Sequence, residues 1–250
     1  MIHYKTPNEI KTMQKGGAIL RDVMSEVIPQ VQPGMTTLQI DKLVQIGLKQ
    51  RGADLSFNKV DNYSWATCTS VNAQIVHTPP SSYELKDGDV LTIDAGAYFG
   101  GFHTDHATTF VVGGLHDEKI DRFLQVGKGA LAEAIKVVKA GNYIGDISKV
   151  FQDSIESAGY SIVKRLTGHG VGKELHEEPF VPCFVSKPRE QTVKITSGLV
   201  IAVEVMYTMG SGEMIQEPGN DWSLITKDGS LSAQFEHSLA VLDKNTLILT

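Results

Sequence analysis

A chain of 250 residues with 41% hydrophobic and 21% charged side chains can bury a sizeable core and is too apolar to stay disordered. Its formal net charge of −6, with no run of Lys or Arg, argues against a nucleic-acid-binding surface. Cys68 and Cys183 are too few for a disulfide framework, and no signal-peptide core or membrane-spanning apolar run is present, so one domain over residues 1–250 in the cytoplasm is expected.

Thr6-Pro7-Asn8-Glu9 combines a capping residue, a proline at the first helical position and a glutamate three residues after the cap, which predicts a helix start. Ile10, Met13, Ala18, Ile19 and Val23 follow at roughly helical spacing as far as Pro29. After a turn at Gln32-Pro33-Gly34, Thr36 and Gln39 open a second helix carrying Ile40, Leu43, Val44 and Leu48. Strand residues run from Ser64 through Val71-Asn72 and Ile75-Val76-His77 to a stop at Pro79-Pro80. Leu91 to Phe110 alternates apolar residues with others about Gly100-Gly101, a β-hairpin pattern. Ile120–Ala140 and Asp146–Ala158 read as two further helices. Strands and turns fill the rest, with Gly168, Gly170, Gly172 and the run from Gly210 to Gly219 expected as irregular loops. A weak repeat aligns KDGDVLTIDAGA with TSGLVIAVEVMY, placing Gly88 on Gly198 and Asp94 on Glu204, and the HTPP at His77 echoes the HEEP at His176. The repeat predicts two related halves packed face to face, each giving an acid and a histidine to a shared cleft.

Asp94 and Asp105 lie on opposite arms of the hairpin and come close together if the strands pair about the glycines. Facing aspartates on a sheet repel unless a cation lies between them; on this stretch alone, one solvent-facing and one turn-capping aspartate is an alternative. Glu204 interrupts the apolar run Leu199 to Met206, where a glutamate is tolerated only when paired or metal-bound, and Glu236 sits in another strand-like segment. His169 has glycines on both sides, which frees the backbone and leaves the imidazole unobstructed. A phosphate-cradling loop is disfavoured there, because the spacing fits no phosphate motif and Glu174, Glu177 and Glu178 would repel an anion. Four carboxylates sharing one cleft require about two divalent cations. Oxygen ligands with one imidazole favour manganese, iron(II) or cobalt over a structural zinc site. His103, His106 and His237 are expected to be non-ligands, since alternation turns His106 and His237 away from Asp105 and Glu236.

These residues resemble the methionine aminopeptidases of the bacterial type I class, over nearly the whole chain from KTPNEI to the closing AVLD. The resemblance implies the pita-bread fold, an α+β architecture of two pseudo-symmetric halves with antiparallel sheets covered by helices. It implies two metal ions, bridged by Asp105 and Glu236, with Asp94 on the first and His169 and Glu204 on the second; zinc is a further option for the metal. It implies removal of an initiator methionine before a small second residue, by a water activated between the ions. Glu204 would be the general base, His176 would contact the oxyanion and His77 the scissile nitrogen or leaving amine. Tyr63, Cys68, Leu175 and Trp222 would line the methionine pocket with His77 and His176, Cys68 as a small hydrophobe and not a nucleophile. Val205 and Leu175 depart from a common proline and a common aromatic. The implied partners are peptide or nascent-protein N-termini, with the ribosome a candidate, no nucleic acid, no membrane, and a monomeric state. Xaa-Pro aminopeptidases and dipeptidases share the ligand pattern but usually carry an extra N-terminal domain, for which this chain has no room. A type II enzyme would need an insertion between Glu204 and Glu236, and a non-catalytic module on the same fold would have lost ligands.

Overall fold

In the computed structural model, which describes residues 1–250, Thr6 opens helix α1 (Pro7–Val27) with the reciprocal bonds its sequence predicts. The Thr6 hydroxyl accepts from the Glu9 N–H while the Glu9 carboxylate accepts from the Thr6 N–H. Thr36 and Gln39 repeat the device at α2 (Thr37–Gln50). Then come β1 (Asp54–Leu55), β2 (Thr67–Val71), β3 (Gln74–Val76), β4 (Val90–Phe99) and β5 (Phe102–Val111). Helix α3 (Glu118–Val137) starts earlier than its apolar spacing suggests because Asp117 caps it, accepting from the Lys119 and Ile120 N–H groups. Helix α4 (Ile144–Ser157) is followed by β6 (Ser161–Ile162), β7 (Thr167–Gly170), β8 (Glu177–Pro182), β9 (Val200–Thr208), β10 (Met214–Gln216), β11 (Leu224–Thr226), β12 (Ser232–Val241) and β13 (Thr246–Ile248). No helix is long and apolar enough to cross a membrane.

Two expected loops are in part strands. Gly168 and Gly170 lie in β7, and Met214–Gln216 pairs with β11 inside the run from Gly210 to Gly219. The glycines of β7 serve close approach and not unusual angles: a Cβ at Gly168 would fall 2.5 Å from the Ala202 carbonyl oxygen, and one at Gly170 2.3 Å from that of Glu178.

Strand β4 pairs with β5 on one side and with β1 and β2 on the other. A larger sheet runs β13-β12-β9-β7-β8, with β6 also on β9, and a small sheet joins β10, β11 and β3. In the β4–β5 hairpin Gly100 and Gly101 have φ of 58° and 88°, the left-handed turn that suits a two-residue hairpin. That turn sets a register in which Asp94 faces Ala107 and Asp105 faces Gly96. The two aspartates therefore share a face but sit diagonally, two residues out of step, not directly across.

The repeat is real in the backbone: Gly88 and Gly198, each just before its central strand, have the same φ of 89°. The halves meet edge to edge, however, and not face to face. The outer edges of β5 and β12 are joined by side-chain hydroxyls in place of a main-chain ladder. Ser238 Oγ accepts from the Asp105 N–H and donates to the Asp105 carbonyl, each at 2.9 Å. Thr109 Oγ1 does the same for Gln234, at 2.9 and 2.8 Å.

The outward face of β4 (Leu91, Ile93, Ala95) buries against α1 and α2 through Leu20, Val44 and Leu48. The outward faces of β9 and β12 (Ile201, Val203, Val205, Phe235) bury with Phe123 of α3 and Phe151 of α4. Val205 keeps its place in the ladder opposite Phe235. Alternation then leaves Asp94, Glu204 and Glu236 on the inward faces, buried but away from the helices.

Candidate metal centre

Five side chains from five strands converge at the seam: Asp94 of β4, Asp105 of β5, His169 of β7, Glu204 of β9 and Glu236 of β12. Glu204 and Glu236 stand directly opposite each other in register. All five are buried and line one cavity of about 260 Å³, together with Tyr63, Cys68, His77, Leu175, His176 and Trp222. Every site residue expected from the sequence thus reaches the same cavity.

His169 is oriented by the residue that follows it. Its Nδ1 donates to the Gly170 carbonyl at 2.8 Å, which leaves Nε2 as an open acceptor. That nitrogen lies 3.9 Å from Asp105 Oδ2 and 3.8 Å from Glu204 Oε1. Donor atoms of Asp105, His169 and Glu236 all lie within 4.8 Å of one another. No lysine or arginine forms an ion pair with any of the four carboxylates.

Burial and mutual repulsion push these acids toward their protonated forms. Asp105 rises to about 7, mainly through burial. Glu204 rises to about 8 through burial and then the charge of Asp105. Asp94 and Glu236 are raised well above the carboxylate range by the same two causes. Burial drives His169 the other way, to about 3, so its imidazole is neutral. The donor set fits a divalent metal: Asp94 Oδ1 and Glu236 Oε1 are buried with no hydrogen-bond partner, the state a cation relieves.

Beside the acids is an apolar wall. Phe57, Tyr63, Cys68 and Leu175 pack together, flanked by Val60, Trp65 and Trp222. Tyr63 meets Trp222 edge-on at 5.0 Å and donates from its hydroxyl to the Thr67 carbonyl at 2.8 Å. Burial holds the Cys68 thiol far above its usual pKa, so it stays protonated and unreactive. His77 sits just past β3 at φ 60°, a left-handed conformation that a non-glycine residue rarely holds. Burial lowers His77 to about 4 and also lowers His176, whose ring meets His169 edge-on at 4.4 Å. Both are neutral at pH 7.

His106 and His237 stack on each other at 4.8 Å on the far side of the sheets, as their alternation predicts. Gln234 is the participant that the sequence reading missed. Its amide donates to Glu204 Oε2 at 2.9 Å. Its place two residues before Glu236, hence on the same face of β12, was the available signal.

Two antiparallel sheets joined at a seam, with helices outside and acids inside, make the pita-bread architecture, and acids that need a cation make its centre a metal site. The profile of metallopeptidase family M24 matches residues 11–243, and the chain belongs to that family. It is 37% identical to the methionine aminopeptidase of Clostridium perfringens, over 100% of this chain and 99% of that one. The crystal structure of methionine aminopeptidase from Thermotoga maritima shares 34% identity and a TM-score of 0.95, covering 100% and 99% of the two chains. A prolidase from Pyrococcus furiosus, 20% identical, matches with a TM-score of 0.77 over 99% of this chain and 65% of its own, a likeness of fold alone.

Proposed function

We propose that this protein is a methionine aminopeptidase that removes the first methionine from peptides and nascent proteins, preferring a small second residue. The observation that carries the reading is the junction of two surfaces: Cys68 of the apolar wall pairs in register with Asp94 of the acid cluster. A methionine side chain on that wall sets its α-amine and first peptide bond beside the carboxylates. Residues 1–250 act as one catalytic domain, since the donors come from both halves of the chain.

Asp94, Asp105, His169, Glu204 and Glu236 would hold two divalent ions. Manganese, iron(II) or cobalt suits the oxygen-rich set, with zinc a further option. When bound, the ions supply Lewis acidity to the scissile carbonyl and acidify water. Glu204 receives the proton of the attacking water as general base, its other oxygen fixed by Gln234. His176, a neutral donor, hydrogen-bonds the oxygen on which charge develops. His77 contacts the scissile nitrogen or the leaving amine, and Tyr63, Cys68, Leu175 and Trp222 hold the methionine side chain. In this reading the protein works as a monomer in the cytoplasm on chain N-termini, with the ribosome a candidate partner and no membrane; the net charge of −6 fits the absence of a nucleic-acid partner.

The test is hydrolysis of Met-Ala, Met-Lys and Xaa-Pro peptides with each of the three metals. Met-Ala is expected to be cleaved far faster than Met-Lys, and Xaa-Pro left intact. Cleavage of Xaa-Pro in preference to Met-Ala would overturn the reading in favour of a proline-specific peptidase.

A further inference from the structure

The segment from Val171 to His176 links β7 to β8 and carries two cavity residues, Leu175 and His176. Main-chain bonds hold its beginning. Val171 N–H donates to the Val200 carbonyl at 3.2 Å, and the Gly172 carbonyl accepts from His103 N–H at 2.7 Å. Its end enters β8, where Glu177 stands opposite Gly170 in register, and the turn before it is tied down further by one side chain. Glu177 Oε1 accepts from the Glu174 N–H at 3.2 Å, and Glu177 Oε2 meets Lys5 Nζ at 2.5 Å.

Lys5 comes from the segment that precedes α1, far away in sequence. Its side chain is 1% exposed and that of Glu177 11% exposed. The Lys5 N–H donates to the Gly198 carbonyl at 2.7 Å, which fixes its backbone just ahead of β9. Gly172 gives the pair its room: a Cβ there would lie 2.5 Å from both Glu177 Oε1 and Lys5 Cε. Net stability is a weak reason to bury such a pair, because desolvation offsets much of its attraction. Burial indeed lowers the Lys5 pKa despite its partner. What the pair does supply is a fixed side chain at Glu177, the residue next to His176, from which the loop is tied back through the Glu174 N–H.

We propose that Lys5 is a positioning residue for catalysis: through Glu177 it locks the loop so that His176 faces the scissile bond. The inference rests on the role given to His176 above. It assigns the segment ahead of α1 to the active site, which neither the fold nor the metal ligands require.

Two measurements test it on the full-length protein. Hydrogen exchange followed by mass spectrometry reads the loop without any turnover. Lys5→Met is expected to raise exchange across residues 172–176 while β9 and β12 keep their protection. A loop that stays protected overturns the lock. The second is a double-mutant cycle on kcat for Met-Ala hydrolysis. Lys5→Met is expected to lower kcat about tenfold with KM little changed in the parent enzyme, and by less than about twofold in a His176→Ala background. Equal losses in both backgrounds would show a general structural role and overturn the positioning role. Should Lys5→Met fail to fold, Glu177→Gln breaks the same pair from the other end and is read identically. A parent enzyme inactive on Met-Ala would refute the assigned function, while hydrogen exchange would still decide the lock.

Discussion

With Glu204 exchanged for glutamine, the side chain keeps its size and its contact with Gln234 but cannot take a proton. Turnover is expected to fall at least about a hundredfold while the fold survives, as loss of a general base requires. The check is kcat beside the melting temperature, and near-normal kcat with metal bound would remove Glu204 from that role. His176→Ala is expected to lower kcat more than it raises KM, because a contact to a developing oxyanion strengthens only in the transition state. Steady-state kinetics on Met-Ala separate the two; a change confined to KM would mean simple substrate positioning. At this scale the sequence was informative because Glu204 breaks an apolar run and Glu236 sits in a strand-like segment, and such residues advertise themselves. Gln234 did not, since an uncharged amide in a strand violates no pattern. Lys5 did not either, because its partner is 172 positions away and nothing local marks either residue as buried.

Among the elements, the seam between β5 and β12 is the joint that aligns the two halves of the site. Asp105 is held there by Ser238 through both its N–H and its carbonyl. Ser238→Ala would leave both buried groups unpaired, at about 1–3 kcal/mol in stability. Denaturant unfolding measures that loss, and metal affinity should weaken with it because Asp105 is the neighbouring donor. An unchanged midpoint and affinity would mean the hydroxyl bridge does not hold the seam. Helix starts were legible because capping is local chemistry, as Thr6 and Thr36 show. The seam was not, because hydroxyls replace the ladder and leave no periodicity to read. The diagonal placement of Asp94 and Asp105 needed the register, which follows from the two-residue turn at Gly100-Gly101. The expectation of a β7 loop failed because glycines chosen for tight packing look the same in a sequence as glycines chosen for turning.

For the whole molecule, the buried groups make stability depend on pH in a way that metal should reverse. His77 and His106, each lowered to about 4, and His169, lowered to about 3, stay neutral in the fold but would charge when unfolded. Their contribution is lost as pH falls below about 6.5, so stability rises with pH up to that point. Asp105 and Glu204, raised to about 7 and about 8, act in the opposite sense. Between an unfolded value of about 4 and those folded values, the native state binds more protons than the unfolded chain. Metal-free stability therefore falls as pH rises through that window. Below about 6.5 the two sets oppose each other; from about 6.5 to 8 only the carboxylates remain, and the metal-free melting temperature is expected to drop. Divalent metal competes with the protons these acids hold, so its stabilisation grows with pH over the same range. Melting curves at pH 6.5 and 8, with manganese and with chelator, check both signs. A metal-induced rise that is larger at pH 6.5 than at pH 8 would mean that the carboxylates are already ionised in the metal-free fold.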